Sequence, residues 1–200
     1  MARLLAATAA LGAGRVRVTM PAIGTGDYRE LFTATRGHLE RIAGEAAQVG
    51  VRALVELHHR TIVASASAAI RLVDGLDPAH IGVIHDIGNL VIEGHEDPPA
   101  AFQMLGPYLA HVHVKNVAWR PSGPAAGGST TWTADWAPLR HGQADIEGYF
   151  AALDAHGYDG WVTVEDFSTD LPLAERTRDN LAYLREIRSR LGAPSSAAAD

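Results

Sequence analysis

Apolar and polar positions along the chain fall into two alternating patterns. Short apolar runs are separated by longer stretches in which apolar residues recur at helical spacing. The runs Arg15–Met20, Arg52–Leu57, Ile81–His85, Ala110–Lys115 and Trp161–Glu165 read as five strands. The stretches 2–12, 28–49, 64–75, 97–108, 146–156 and 172–190 read as helices. Gly50, Gly75 and Gly157 sit where those helices should stop, and Pro98 and Pro99 sit where one should start. Residues 117–144, rich in Gly, Pro, Thr and Trp, predict a long loop, and Gly192–Asp200 predicts a disordered tail. The opening segment Met1–Gly14 has the single Arg and short apolar stretch of a leader. A strand pattern follows at once, which favours an Ala/Leu-rich helix ended by Gly12 or Gly14.

Strands alternating with helices predict a parallel sheet with right-handed crossovers. No compositional break marks a second domain, so one α/β domain is expected over residues 1–191. Most strands are apolar and end in a polar residue. That is the organisation of a (β/α) barrel, in which strand ends and the following loops build the active site.

Composition narrows the function classes. The chain has 200 residues, 47% of them hydrophobic and 20% charged, which suits one soluble globular domain. A net charge of −6 argues against a nucleic-acid partner. No apolar run approaches the roughly 18 residues of a membrane span. The absence of cysteine excludes disulfides and thiolate metal sites and suits a reducing, cytoplasmic setting.

The strand ends carry the chemistry. The second strand delivers Glu56 and His58, two apart and so on one face. The third delivers Asp86, followed by Ile-Gly-Asn89. The fourth delivers His111 and His113, then Lys115, and the fifth delivers Glu165 beside Asp166. A carboxylate closing an apolar strand is costly unless it is solvated, paired or metal-bound. Successive strands of a parallel barrel bring such ends together. Glu56, Asp86, His113 and Glu165 are therefore expected to converge on one divalent metal ion. His113 is preferred over His111, which lies deeper and is expected to be core or supporting. Three carboxylates and an imidazole suit Mn²⁺, Mg²⁺ or Co²⁺, with Zn²⁺ or Fe²⁺ also compatible.

The segments VELHH, HDIGNLVIEGHE, YLAHVHVKNVAW, PLRHGQADIEGYFAAL and GYDGWVTVEDFS resemble the sugar phosphate isomerase/epimerase family with the xylose-isomerase-like TIM barrel. The resemblance runs from about residue 15 to 190. It implies the same four metal ligands, with Glu56 and Glu165 as an acid/base pair on opposite sides of a bound sugar. Family members with ketose epimerase activity carry a substrate-contacting His three residues after the metal Asp, where this chain has Asn89. The resemblance also implies that these five strands are the fourth to eighth of a barrel that has eight in about 250 residues. The barrel is then N-terminally incomplete in this sequence. Two open edges and an exposed apolar face should follow, with poor solubility or a homo-oligomer.

The resulting expectation is a divalent-metal-dependent isomerase or epimerase of a small carbohydrate, acting through an enediolate. An inosose-type dehydratase on the same site is the first alternative, and a partner-dependent barrel fragment is another. An AP-endonuclease-like phosphodiesterase is opposed by the negative charge and the four-ligand set. Expected substrate contacts are His58, Asn89, Lys115, Trp119 and His141, with Trp119 stacking on a sugar face or ordering its loop. His59 and His95 are expected to be solvated.

Overall fold

Residues 1–192 are described in a computed structural model of the chain. The helices are α1 (Ala2–Ala10), α2 (Tyr28–Val49), α3 (Ala66–Val73), α4 (Ile87–Ile92), α5 (Pro98–Leu105), α6 (Ile146–His156) and α7 (Leu173–Gly192). The strands are β1 (Arg15–Val18), β2 (Arg52–Glu56), β3 (Ile81–Asp86), β4 (Leu109–Val114), β5 (Asn116–Pro124), β6 (Thr130–Ala137) and β7 (Val162–Val164). The main sheet is parallel, in the order β1-β2-β3-β4-β7, and it is open, with β1 and β7 as its edges. The expected tail lies outside the described residues apart from Gly192, which ends α7.

Local chemistry sets the helix boundaries. Asp27 accepts from the amides of Arg29 and Glu30 at the start of α2, and Gly50 ends that helix in the left-handed conformation at φ 66°. Ser65, Asp97 and Asp145 cap α3, α5 and α6 in the same way.

Alternation along each strand separates two faces of the sheet. One face carries Ala53, Val55, Leu57, Ile81, Val83, Val112 and Val114, all fully buried. It packs on Leu39, Leu72, Phe102, Leu105, Ile146 and Ile187 of the covering helices. Each large side chain so buried contributes about 1.5–3 kcal/mol. The concave face carries Arg15, Arg17, Arg52, Glu56, Asp86, His111 and His113. Its only apolar cluster among the described residues is Leu54, Ile84 and Ala110, all buried. Arg15 donates to the carbonyl of Ala110 and Arg52 to that of Pro107, so guanidinium stems floor the concave side. Exposed large apolar side chains are scattered, among them Leu11, Trp132, Trp161, Phe167 and Leu173.

Two segments differ from expectation. The predicted loop at 117–144 contains an antiparallel hairpin, β5–β6, whose base pairs Asn116 with Ala137. Asn116 anchors this base by donating to the carbonyls of Leu139 and Ala144 and accepting from the Ala144 amide. Gly142 packs so closely on Asn116 that a Cβ there would collide with its side chain. The second difference is α4, a short helix that begins directly after Asp86. Among the described residues, no helix is long and apolar enough to cross a membrane.

Candidate metal centre

Strand register places the four expected ligands together. Asp86 is the Cα partner of His113 across β3–β4, after a register shift between Val83 and Ile84. Glu56 ends β2 on the other side of β3. Glu165 lies one residue past β7, where its amide donates to the carbonyl of Val114. One ligand atom from each of Glu56, Asp86, His113 and Glu165 lies within 4.8 Å of the others.

His113 Nδ1 is the hub. It is 2.9 Å from Glu56 Oε1, 3.4 Å from Glu165 Oε1 and 3.6 Å from Asp86 Oδ2. Burial alone would lower its pKa. The close carboxylate of Asp86, the hydrogen bond to Glu56 and the charge of Glu165 outweigh burial and lift it to about 9. Burial also works to raise the pKa of Glu56, but the hydrogen bond to His113 and the charge of Arg17 bring it down to about 2. Arg17 reaches Glu56 Oε2 from β1.

Lys115 completes the charge set. Its Nζ is 2.8 Å from both Asp86 Oδ2 and Glu165 Oε2, and its side chain is almost wholly buried. Burial opposes its charge, yet the two carboxylates hold its pKa above the ordinary lysine value. Gly88 makes room for it, since a Cβ there would collide with the Lys115 stem and carbonyl. Three carboxylates thus face three cationic groups: Arg17, Lys115 and protonated His113.

The residues fit a divalent cation. Asp86 spends Oδ1 on the amide of Asn89, capping α4. Its buried Oδ2 makes no well-aligned hydrogen bond, the Lys115 contact being an ion pair, and so keeps a lone pair facing the cluster. Exchanging the His113 proton for a divalent cation turns a balanced set into one with a single net positive charge. Such a site favours developing negative charge on a bound ligand.

The other expected contacts divide. His58 borders the opening beside the cluster. Its Nδ1 donates to the carbonyl of His59, which leaves Nε2 as an acceptor. Asn89 is fully buried: it donates to the carbonyl of Leu57 and accepts from His59 Nδ1. It braces the strand end and is not among the residues that line the opening. Trp119 donates from Nε1 to the carbonyl of Val91, so it docks the hairpin on the end of α4 and does not line the opening. His141 is exposed in the turn after Leu139 and also lies outside the opening. His111 bonds Thr163 and meets His113 edge-on, in the supporting place expected for it.

Three residues of the opening were missed. Arg17 stands on the ligand side of the alternating Arg15–Val18 run, and that two-residue spacing was a usable signal. Trp136, on the hairpin, and Phe167, two residues past Glu165, also line it. His59, expected to be solvated, lies half-buried in the same opening.

Residues 1–187 match the xylose isomerase-like TIM barrel family, and the chain belongs to that family. It is 28% identical over 132 residues to inosose dehydratase of Lacticaseibacillus casei, a match covering 64% of this chain and 44% of that protein. The chain therefore spans less than half the length of the curated relatives it matches. The 3-keto-D-glucoside 4-epimerase of E. coli is similar in structure, with a TM-score of 0.71 at 21% identity over 92% of this chain and 68% of that one. A xylose isomerase-like TIM barrel protein from Mycobacterium smegmatis, solved in complex with magnesium, gives 0.69 at 19% identity over 96% of this chain and 66% of that one. At these identities the structural likeness shows a shared fold.

Proposed function

We propose that the chain carries the metal-dependent, proton-abstracting centre of an isomerase or epimerase acting on a small polyhydroxylated ketone. One observation carries this reading: four ligand atoms within 4.8 Å, supplied by two glutamates that flank an aspartate and a histidine. A divalent cation held by Glu56, Asp86, His113 and Glu165 would polarise a carbonyl and offset the charge of an enediolate.

The two glutamates are unequal. Glu56 is buried and tied on both oxygens, to His113 and Arg17. Glu165 lies just past the edge strand β7 and is more exposed. Glu165 is therefore assigned the removal of the proton next to the carbonyl. Lys115, hydrogen-bonded to Glu165 Oε2, orients that carboxylate and faces the developing oxyanion. His58 Nε2 is placed to accept a substrate hydroxyl. In an isomerase the proton returns to the neighbouring carbon. In an epimerase a different proton, carried by Glu56, is delivered to the opposite face, and Glu165 releases the proton it took to solvent.

The same asymmetry favours a second reading, a dehydratase, which also agrees with the inosose dehydratase relatives. One base suffices there. Glu165 takes the proton beside the carbonyl, the C–O bond at the next carbon breaks, and Glu165 passes that proton to the leaving hydroxide, which departs as water. Incubation of the Mn²⁺-loaded chain with candidate ketoses and an inosose in D₂O, followed by NMR, tests both. Deuterium should enter beside the carbonyl, at a rate reduced about 100-fold or more in Glu165→Gln. Recovery of an isomer or epimer supports the first reading and an unsaturated or diketone product the second. No exchange with any hydroxyketone contradicts both.

A further inference from the structure

Trp136, near the end of β6, is the tryptophan that meets the opening. Its ring centroid lies 5.3 Å from that of Phe167, with the planes at 54°, and 6.0 Å from the ring of His59. Lys115 Nζ sits 5.5 Å from the centroids of both Trp136 and Phe167. The same ammonium touches Asp86 and Glu165. The two rings thus make a corner tied to the charge cluster by cation–π contacts.

The rings stay in water: Trp136 is 38% exposed and Phe167 52% exposed. The rest of the wall is polar, with Arg17, His58, Lys115 and Glu165 around a space of about 500 Å³. An apolar corner against one polar rim suits a ligand with the same division. It needs a carbon–hydrogen face to cover the rings and oxygens to meet the charges.

We propose that Trp136 is a specificity-determining residue and that, with Phe167, it takes the carbon–hydrogen face of a cyclic polyhydroxylated ketone. A six-membered ring with equatorial hydroxyls has such a face and a rim of oxygens. A three-carbon hydroxyketone has the oxygens without the face. This inference rests on the hydroxyketone reading above and narrows its substrate class. The hairpin then has a role: it carries Trp136 from an exposed arm to the mouth of the site.

The test is calorimetric titration of the Mn²⁺-loaded full chain with an inosose and, separately, with dihydroxyacetone. Trp136→Ala should weaken inosose binding about tenfold and leave dihydroxyacetone binding within about twofold, while Trp136→Phe keeps most of the affinity. Phe167→Ala, which leaves the hairpin untouched, should show the same selective loss. Mn²⁺ stoichiometry in each variant reports whether the site is intact. Equal inosose affinity in wild type and both alanine variants overturns the inference. Binding of dihydroxyacetone without inosose overturns the inference and leaves the hydroxyketone reading standing. Binding of neither ligand by wild type overturns both.

Discussion

The two faces of the five-stranded sheet are built from the same strands and obey opposite rules. On the helix-covered face Val55, Val83, Val112 and Val114 are sealed under the helices. On the concave face Glu56, Asp86 and His113 occupy neighbouring positions of the same strands and are nearly as buried, yet they are charged. Apolar burial needs only shape and volume. Charged burial needs a partner for every group, and here the partners are Arg17, Lys115 and the proton on His113. The helix side therefore supplies stability. The concave side holds charges that balance one another.

That comparison can be broken by substitutions that touch one face at a time. The largest effect is expected at Lys115. Lys115→Met keeps the stem and removes the ammonium, leaving Asp86 and Glu165 without their shared cation. The metal-free chain should lose about 3–5 kcal/mol, and added Mn²⁺ should raise its melting temperature by more than it raises that of wild type. Thermal melts with and without Mn²⁺ measure both. Equal metal-induced shifts would show that Lys115 is not part of the charge balance.

On the opposite face, Tyr149→Phe leaves His85 Nδ1 without its 2.7 Å partner in a fully buried site. A loss of about 1–3 kcal/mol is expected by denaturant unfolding, with metal affinity unchanged. Asn89→Leu bridges the two regions. It removes the bonds to Leu57 and His59 beneath the site. It should also cost about 1–3 kcal/mol, and it should loosen His59, visible as a change in the imidazole NMR signal. The smallest effect belongs to His141→Ala, expected to stay within about 0.5 kcal/mol in stability and to leave metal affinity alone. A clear fall in metal affinity there would place that turn closer to the site than the fold does.

Most of the α/β pattern was legible because burial imposes a period. The strands are short apolar runs, buried without a break in β3, and the helices they pack against repeat at helical spacing. The hairpin was not legible for the same reason. Along β6 from Thr130 to Trp136 both faces are largely exposed, so no two-residue alternation of apolar and polar side chains is imposed. Missing the hairpin hid Trp136 and drew attention to Trp119, which docks the arm on Val91. The cluster of Glu56, Asp86, His113 and Glu165 could be read because each lies at or beside the end of its own strand. Asn89 was expected to contact substrate; the structure places it buried in the first turn of α4, capped by Asp86 three residues before it.

Metal titration of the purified chain by calorimetry, with bound metal counted by elemental analysis, tests the central claim most directly. Wild type should bind one equivalent of Mn²⁺. Asp86→Asn should weaken binding by more than about 100-fold while the far-ultraviolet circular dichroism stays native. A wild type that binds no ion at millimolar Mn²⁺, or an Asp86→Asn chain that binds as tightly as wild type, would contradict the account.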